Sequence, residues 1–202
     1  MLTANFQAPV SLSAIFDEAD LKDTGIELDS HVTLLYAQGK EIPRTNLLSE
    51  VKEILGYEDA EAFFTYLSEQ HEEKVLDIFD LEKFENDSDY VVLKMKEDFV
   101  LLRYLRLINK GLSAKYGVTS KFDSYTPHVT LAELQPGLAQ KYLDSETLKL
   151  VLRDSVIDFE DLVISYGTDN EVEDRKLYHL TSYGAVDRYF RLLDLKKEAT
   201  ED

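Results

Sequence analysis

The sequence predicts an α+β protein built mainly from antiparallel sheets. Strand-like runs and helix-like runs are interleaved along the whole chain, and several strand-like runs are joined in pairs by short polar turns. Hydrophobic residues make up 44% of the 202 positions and aromatics 11%, enough for a packed core of one sizeable domain. No low-complexity linker divides the chain, so residues 1–202 are expected to form a single domain.

Alternation from Val10 to Phe16 predicts a first strand, followed by a polar loop to Ser30. The β-branched and aromatic run His31 to Tyr36 predicts a second strand, ended by Gly39 and Pro43. Leu47, Leu48, Val51, Ile54 and Leu55 recur at helical spacing, which predicts a helix over 44–55 stopped by Gly56. A second helix is predicted over 59–70, with Ala62, Phe63, Tyr66 and Leu67 on its apolar face. Strands over 75–84 and 90–96 flank the turn-forming run Asn86-Asp87-Ser88-Asp89. The longest helix is predicted over 97–116, with Gly117 ending it, and an exposed loop then leads to a strand over 128–134. A helix over 145–153, strands over 156–166 and 175–183, and a helical tail over 185–195 complete the reading.

The formal net charge of −18 sets limits on partners. A surface that acidic repels long polyanions, so DNA and long RNA are not expected to bind. A small nucleotide or oligonucleotide, held by a few donors in a cleft, remains compatible. The absence of cysteine excludes disulfides, thiolate metal sites and a cysteine nucleophile, and a reducing compartment follows as the expectation. The first residues lack the basic and apolar regions of a signal peptide, and no apolar run approaches the roughly 20 residues that span a bilayer. The expected location is the cytoplasm, without membrane attachment.

Three of the four histidines, His31, His128 and His179, open a His-x-Thr tripeptide. One such tripeptide is explained by a strand-edge histidine beside a threonine chosen for β propensity. Two of them, however, share the tetrad His-Val-Thr-Leu, at 31–34 and 128–131. On a strand, residues i and i+2 leave the same face about 6.5–7 Å apart. His31 therefore projects with Thr33, and His128 with Thr130, while Val32, Leu34, Val129 and Leu131 turn to a core. Two such strands brought together gather two imidazoles and two hydroxyls around one point. That set suits phosphoryl transfer, in which a neutral imidazole takes a proton, an imidazolium returns one, and hydroxyls donate to phosphate oxygens. Zinc is the competing use of paired histidines. No His-x-x-x-His, His-x-Asp or cysteine accompanies them, so neither a metal nor another cofactor is expected.

His31-Val32-Thr33-Leu34, taken with Tyr125-Thr126-Pro127-His128-Val129-Thr130-Leu131, resembles the paired signature of the 2H phosphoesterases. That superfamily includes bacterial RNA 2′,3′-cyclic phosphodiesterases, plant cyclic phosphodiesterases and phage enzymes that degrade cyclic-oligonucleotide immune signals. The resemblance implies a bilobal, pseudo-symmetric α+β fold, with mainly antiparallel sheets around a central groove and helices outside. It also implies catalytic positions for His31 and His128 and phosphate-binding positions for Thr33 and Thr130. The match is specific at about ten residues and follows the rest of the chain by rhythm alone. The basic residues by which some members hold RNA are not evident, which favours small cyclic or 2′-5′-linked oligonucleotides, or a 2′,3′-cyclic phosphate. A compact acidic member of this kind is similar to the phage anti-CBASS phosphodiesterases. The competing expectations are a nucleotide-binding sponge or sensor on the same fold, and an interaction protein with an acidic surface.

Further residues are candidates for substrate contact. Tyr125, in the loop entering the second tetrad, is placed either to stack on a base or to pack. Lys121 in the same loop, and Arg175 and Lys176 at the start of the last strand, are candidate phosphate contacts or solvated charges. His179 either reaches the shared groove or is a sheet histidine with local partners. His71 follows a helix in an acidic run and reads as a surface residue. Strand parity puts Tyr36 and Glu133 on the face opposite the histidines, unless a bulge intervenes.

Overall fold

The computed structural model describes residues 1–37, 43–69, 72–119, 124–168 and 171–179. Among them the fold is α+β, with two sheets, six helices and antiparallel pairing throughout. The first sheet joins β1 (Leu2–Gln7), β3 (His31–Val32), β4 (Glu73–Lys74), β8 (Val156–Thr168) and β9 (Glu171–His179). Its order is β3-β1-β8-β4, with β9 also paired to β8. The second sheet, curled into a half-barrel, runs β2-β7-β6-β5. Its strands are β2 (Leu21–Ile26), β5 (Phe79–Glu85), β6 (Asp89–Met95) and β7 (His128–Leu134). The two tetrads thus open strands of different sheets, β3 in one and β7 in the other.

Several expectations are corrected. The run from His31 to Tyr36 is a strand only at His31–Val32, β3. Residues 10–16 form no strand; Leu12–Ala14 is a single 3₁₀ turn, and Phe16 alone of the segment enters the core. Its alternation sets small Ser and Ala side chains against Val, Leu and Ile, giving too little bulk for a pleated surface. The first strand is instead Leu2–Gln7, which pairs with β3 on one side and β8 on the other. The polar stretch before Ser30 likewise holds a strand, β2, of poor β propensity. It lies at the sheet edge and pairs irregularly with β7 through Leu21↔Leu134 and Ile26↔Ala132. Tertiary pairing overrides local preference at both places.

The helices follow their end signals more closely. α1 (Leu47–Leu55) begins where Asn46 accepts hydrogen bonds from the backbone N–H of Leu48 and Ser49, three residues later than its apolar spacing implied. α2 (Tyr57–Ser68) starts directly after Gly56, whose positive φ turns the chain between the two helices. α4 (Val100–Tyr116) ends at Gly117 in the left-handed conformation. α6 (Glu146–Asp154) is capped by the Ser145 hydroxyl. Val75–Ile78, expected to begin a strand, is one helical turn, α3, that buries Val75 and Ile78. α5 (Ala139–Leu143) was not foreseen; the buried Asp89 carboxylate accepts from its first N–H, Ala139 N, at 2.9 Å. That anchor lies 50 residues away and leaves no local trace. The tail over 185–195 and His71 lie outside the described residues, and among those described no helix is long and apolar enough to cross a membrane.

One hydrophobic cluster runs through both sheets and the helices. Phe63 and Phe64 of α2 are buried at its centre with Leu101, Leu105 and Ile108 of α4. Contact between α1 and α4 is close enough that a Cβ on Gly111 would stand 2.6 Å from Ile54 Cγ2. Gly111→Ala removes a helix-interior glycine, which alone favours the folded state by about 1 kcal/mol. Overpacking a filled interface costs about 1–3 kcal/mol. The second effect is expected to win, lowering the urea midpoint at an unchanged m-value. A raised midpoint would show that Ile54 has room to rotate away.

Candidate active site

Both tetrads show the same alternation, half-buried at His and Thr and buried at Val and Leu. Val32 and Leu34 enter the core from β3 and the bend after it, Val129 and Leu131 from β7. β3 and β7 approach one another with Cα atoms within 8 Å, although they belong to different sheets. One bond spans the approach, and a second extends the β2–β7 pairing along the second tetrad. Tyr125 Oη donates to the Thr33 carbonyl at 2.9 Å, tying the loop before the second tetrad to the first. Glu27 N donates to the Leu131 carbonyl at 3.0 Å. On the far side of the first tetrad, Asn109 Nδ2 of α4 donates to the Leu34 carbonyl at 2.7 Å.

The two imidazoles are held alike. His31 Nδ1 lies 2.7 Å from the Asp29 carbonyl oxygen, and His128 Nδ1 lies 2.8 Å from the Thr126 carbonyl oxygen. Each bond reaches two residues back along the chain, just ahead of the strand. A carbonyl only accepts, so in both rings Nδ1 carries the proton and donates. Nε2 is then the basic nitrogen of each neutral ring. Burial holds the His128 pKa below its ordinary 6.5; the bond to Thr126 opposes this, and the charge on His31 adds to the lowering. Phe84 of β5 packs edge-on against His128, with ring centroids 4.8 Å apart at 80°.

The curl of the second sheet brings further residues to His128. Lys94 of β6 is directly opposite His128 in the antiparallel register, so its ammonium stem leaves the same face. Sequence inspection missed it, because nothing local distinguishes it from other lysines. Glu133 is the second omission, and the physical reason is a β-bulge. Thr130 pairs with Val92 but Ala132 pairs with Val91, so Leu131 is an extra residue on β7. Leu131 and Ala132 are both buried on the core side, and Glu133, paired with Tyr90, returns to the face of His128 and Thr130. The expected parity of Glu133 is therefore reversed. The signal was present as two consecutive apolar residues, Leu131-Ala132, breaking an alternating strand.

Other candidates are placed differently. The hydroxyl of Tyr125 is turned to the Thr33 backbone, and burial pushes its pKa up, so it stays a donor. It fastens the two tetrads together. Lys176 is exposed with its Nζ 5.1 Å from the centre of the Tyr178 ring. The backbone of His179 pairs with Asp161 of β8, which pairs with Thr3 of β1, which pairs with His31. The third His-x-Thr thus begins in the same cross-strand row as the first, with two strands between them. Its side chain, that of Arg175, and Lys121 lie outside the described residues. Tyr36 is 65% exposed beyond the end of β3.

No family model, curated protein or solved structure matches the chain. Its chemistry therefore rests on the residues themselves. Among the described residues no group of three His, Asp or Glu side chains is arranged to hold a metal ion. A cleft of about 460 Å³ opens elsewhere, between the end of α2 and β8, lined by Tyr66, Glu73, Asp158 and Glu160 among others. It contains neither tetrad, and its carboxylates are ill suited to a phosphate.

Proposed function

We propose that the protein is a phosphodiesterase of the 2H kind, cleaving a nucleotide phosphodiester by two-histidine acid–base catalysis on a bilobal 2H fold. The observation that carries this reading is the duplicated histidine setting: the same tetrad, the same Nδ1-to-carbonyl bond, and the same half-burial, on two strands that approach each other. A packing histidine has no need of a fixed tautomer, and two unrelated ones have no reason to share it. His128, kept neutral by burial, takes the proton from the attacking water or hydroxyl through Nε2. His31 returns a proton to the leaving oxygen. The Thr33 and Thr130 hydroxyls and the Lys94 ammonium stabilise the charge that develops on the non-bridging oxygens. Acid, base and donors all come from side chains, so no metal takes part.

The substrate class that fits is a cyclic oligonucleotide, a 2′-5′-linked oligonucleotide or a 2′,3′-cyclic phosphate, and cyclic nucleotide signals of immunity fall within it. The test is turnover of a panel of these compounds with EDTA present, followed across pH. Hydrolysis of at least one class is expected, undiminished by EDTA. On the acid side kcat/KM should rise with pH through a limb below pH 6.5, because the base works only when deprotonated and its pKa is lowered. Activity lost to EDTA and restored by zinc, manganese or magnesium would turn these histidines into metal ligands. Tight binding without turnover on any compound would make the protein a nucleotide sponge.

A further inference from the structure

The two tetrads are anchored very unequally. His128–Leu134 is an inner strand, with β2 paired along one edge and β6 along the other. Its entry is fixed as well: Met95 N donates to the Pro127 carbonyl at 2.9 Å, carrying the β6 pairing one residue ahead of the strand. The first tetrad has far less. β3 is two residues long, and among the described residues it is paired to β1 alone. Past Val32 the ladder stops, and the next two carbonyls accept from side chains instead. Asn109 Nδ2 reaches Leu34 from α4, and Tyr125 Oη reaches Thr33 from the loop entering the second tetrad. Of these bonds only the one from Tyr125 joins tetrad to tetrad, across 92 positions of chain. The Tyr125 ring is half-buried against the core cluster, and its phenol stays protonated because burial pushes the pKa up.

We infer that Tyr125 is a positioning residue for the two-histidine site: its hydroxyl sets the separation of His31 from His128 by holding the loose tetrad to the strand-bound one. The inference rests on the phosphodiesterase reading for its catalytic consequence, though not for the spacing itself. The lever is short on both sides. Thr33 is two residues from His31, and Tyr125 is three from His128, with Pro127 between them fixing one backbone dihedral. Thr126 lies in the same link, and its carbonyl accepts from His128 Nδ1 at 2.8 Å. One segment, Tyr125-Thr126-Pro127, therefore turns the second imidazole with a carbonyl and holds the first with a hydroxyl. Two-histidine transfer needs both rings within reach of one phosphorus, and a misplacement of about 1 Å can lower the rate about 100-fold.

Tyr125→Phe tests this by removing the hydroxyl while keeping the ring, its packing and the charge at working pH. With a phosphodiester substrate kcat should fall about 10- to 100-fold while KM stays within about twofold. Spacing is also read without turnover, by titrating labelled imidazoles by NMR in a double-mutant cycle. His31→Gln removes a charge that lowers the His128 pKa, so it should raise that pKa in otherwise wild-type protein. In the Tyr125→Phe background the same change should raise it less, because the rings stand farther apart. The other charged groups on this face are Lys94, opposite His128 on β6, Asp80, beyond Lys94 in the same row on β5, and Glu133 along β7. All three are common to every arm of the cycle. An equal rise in the two backgrounds would overturn the inference and leave Tyr125 a strut for its loop, even if the variant melts earlier. A smaller rise in the variant, with no hydrolysis by wild type, keeps the spacing role and removes the phosphodiesterase reading. Hydrolysis at equal rates by wild type and variant retains that reading and removes Tyr125 from it.

Discussion

Under the proposed two-histidine mechanism, substitution of His128 by alanine is expected to lower kcat on a phosphodiester substrate by about 10²- to 10⁴-fold, with KM little changed. In that mechanism the residue would supply a proton acceptor, not binding surface, and the bond from its Nδ1 to the Thr126 carbonyl would leave Nε2 as the working atom. His31→Ala should cost a similar factor by removing the proton donor. The double variant should fall far short of the product of the two, since neither histidine completes the reaction without the other. Thr33→Ala and Thr130→Ala each delete one hydrogen bond to phosphate and should be milder. His179→Ala serves as the comparison. If it abolishes turnover while His128→Ala does not, the working pair has been misassigned; if none of the three alters the rate, the two-histidine mechanism is wrong. Single-turnover kinetics on purified variants, with binding measured separately, separates these outcomes.

Phe63→Ala is expected to be the most destabilising of the simple truncations. Its ring is fully buried at the junction of α2 with α4. It packs on Phe64 with centroids 5.3 Å apart and on Tyr104 at 5.7 Å. Truncation loses the transfer free energy of the ring and leaves a cavity walled by rigid helices, a combination that costs about 3–5 kcal/mol. In a chain of this length that corresponds to roughly 6–20 °C in Tm. Calorimetry should show the loss, and activity per folded molecule should stay constant, because Phe63 reaches the tetrads only through the core. A Tm within a degree or two of wild type would mean that α2 collapses onto the space.

The alternating burial of the two tetrads was legible, although only the second lies wholly on a strand; β3 ends at Val32, and Thr33 and Leu34 follow in the bend after it. β7 was found with its expected ends, and α4 stopped at its expected glycine, because both are set by residues within a few positions. What sequence inspection lost was set at long range. β1 and β2 are strands only because partners elsewhere in the chain line them, and α5 is held by Asp89 from another strand. Lys94 and Phe84 join the histidine through the register and curl of a sheet, which no local pattern encodes. Glu133 lay between the two cases. Its bulge is written in two adjacent apolar residues, but the meaning of that pair depends on a neighbouring strand that keeps its own register.

The order in which the strands are sewn together has a consequence for synthesis. The curled sheet uses strands from the first and middle thirds of the chain, so the second tetrad can settle as soon as residue 134 has emerged. The first tetrad cannot. Among the described residues β3 is hydrogen-bonded to β1 alone, and the other edge of β1 is closed only by β8, which begins at Val156. On a ribosome adding about 5–20 residues per second, His31 waits some 6–25 s for that strand. Contacts spanning such a separation are also among the slowest to form. A nascent chain arrested before β8 would therefore carry one histidine in place and the other on an unclosed edge strand. The pairing of the two tetrads would be completed last, with the closing of the first sheet.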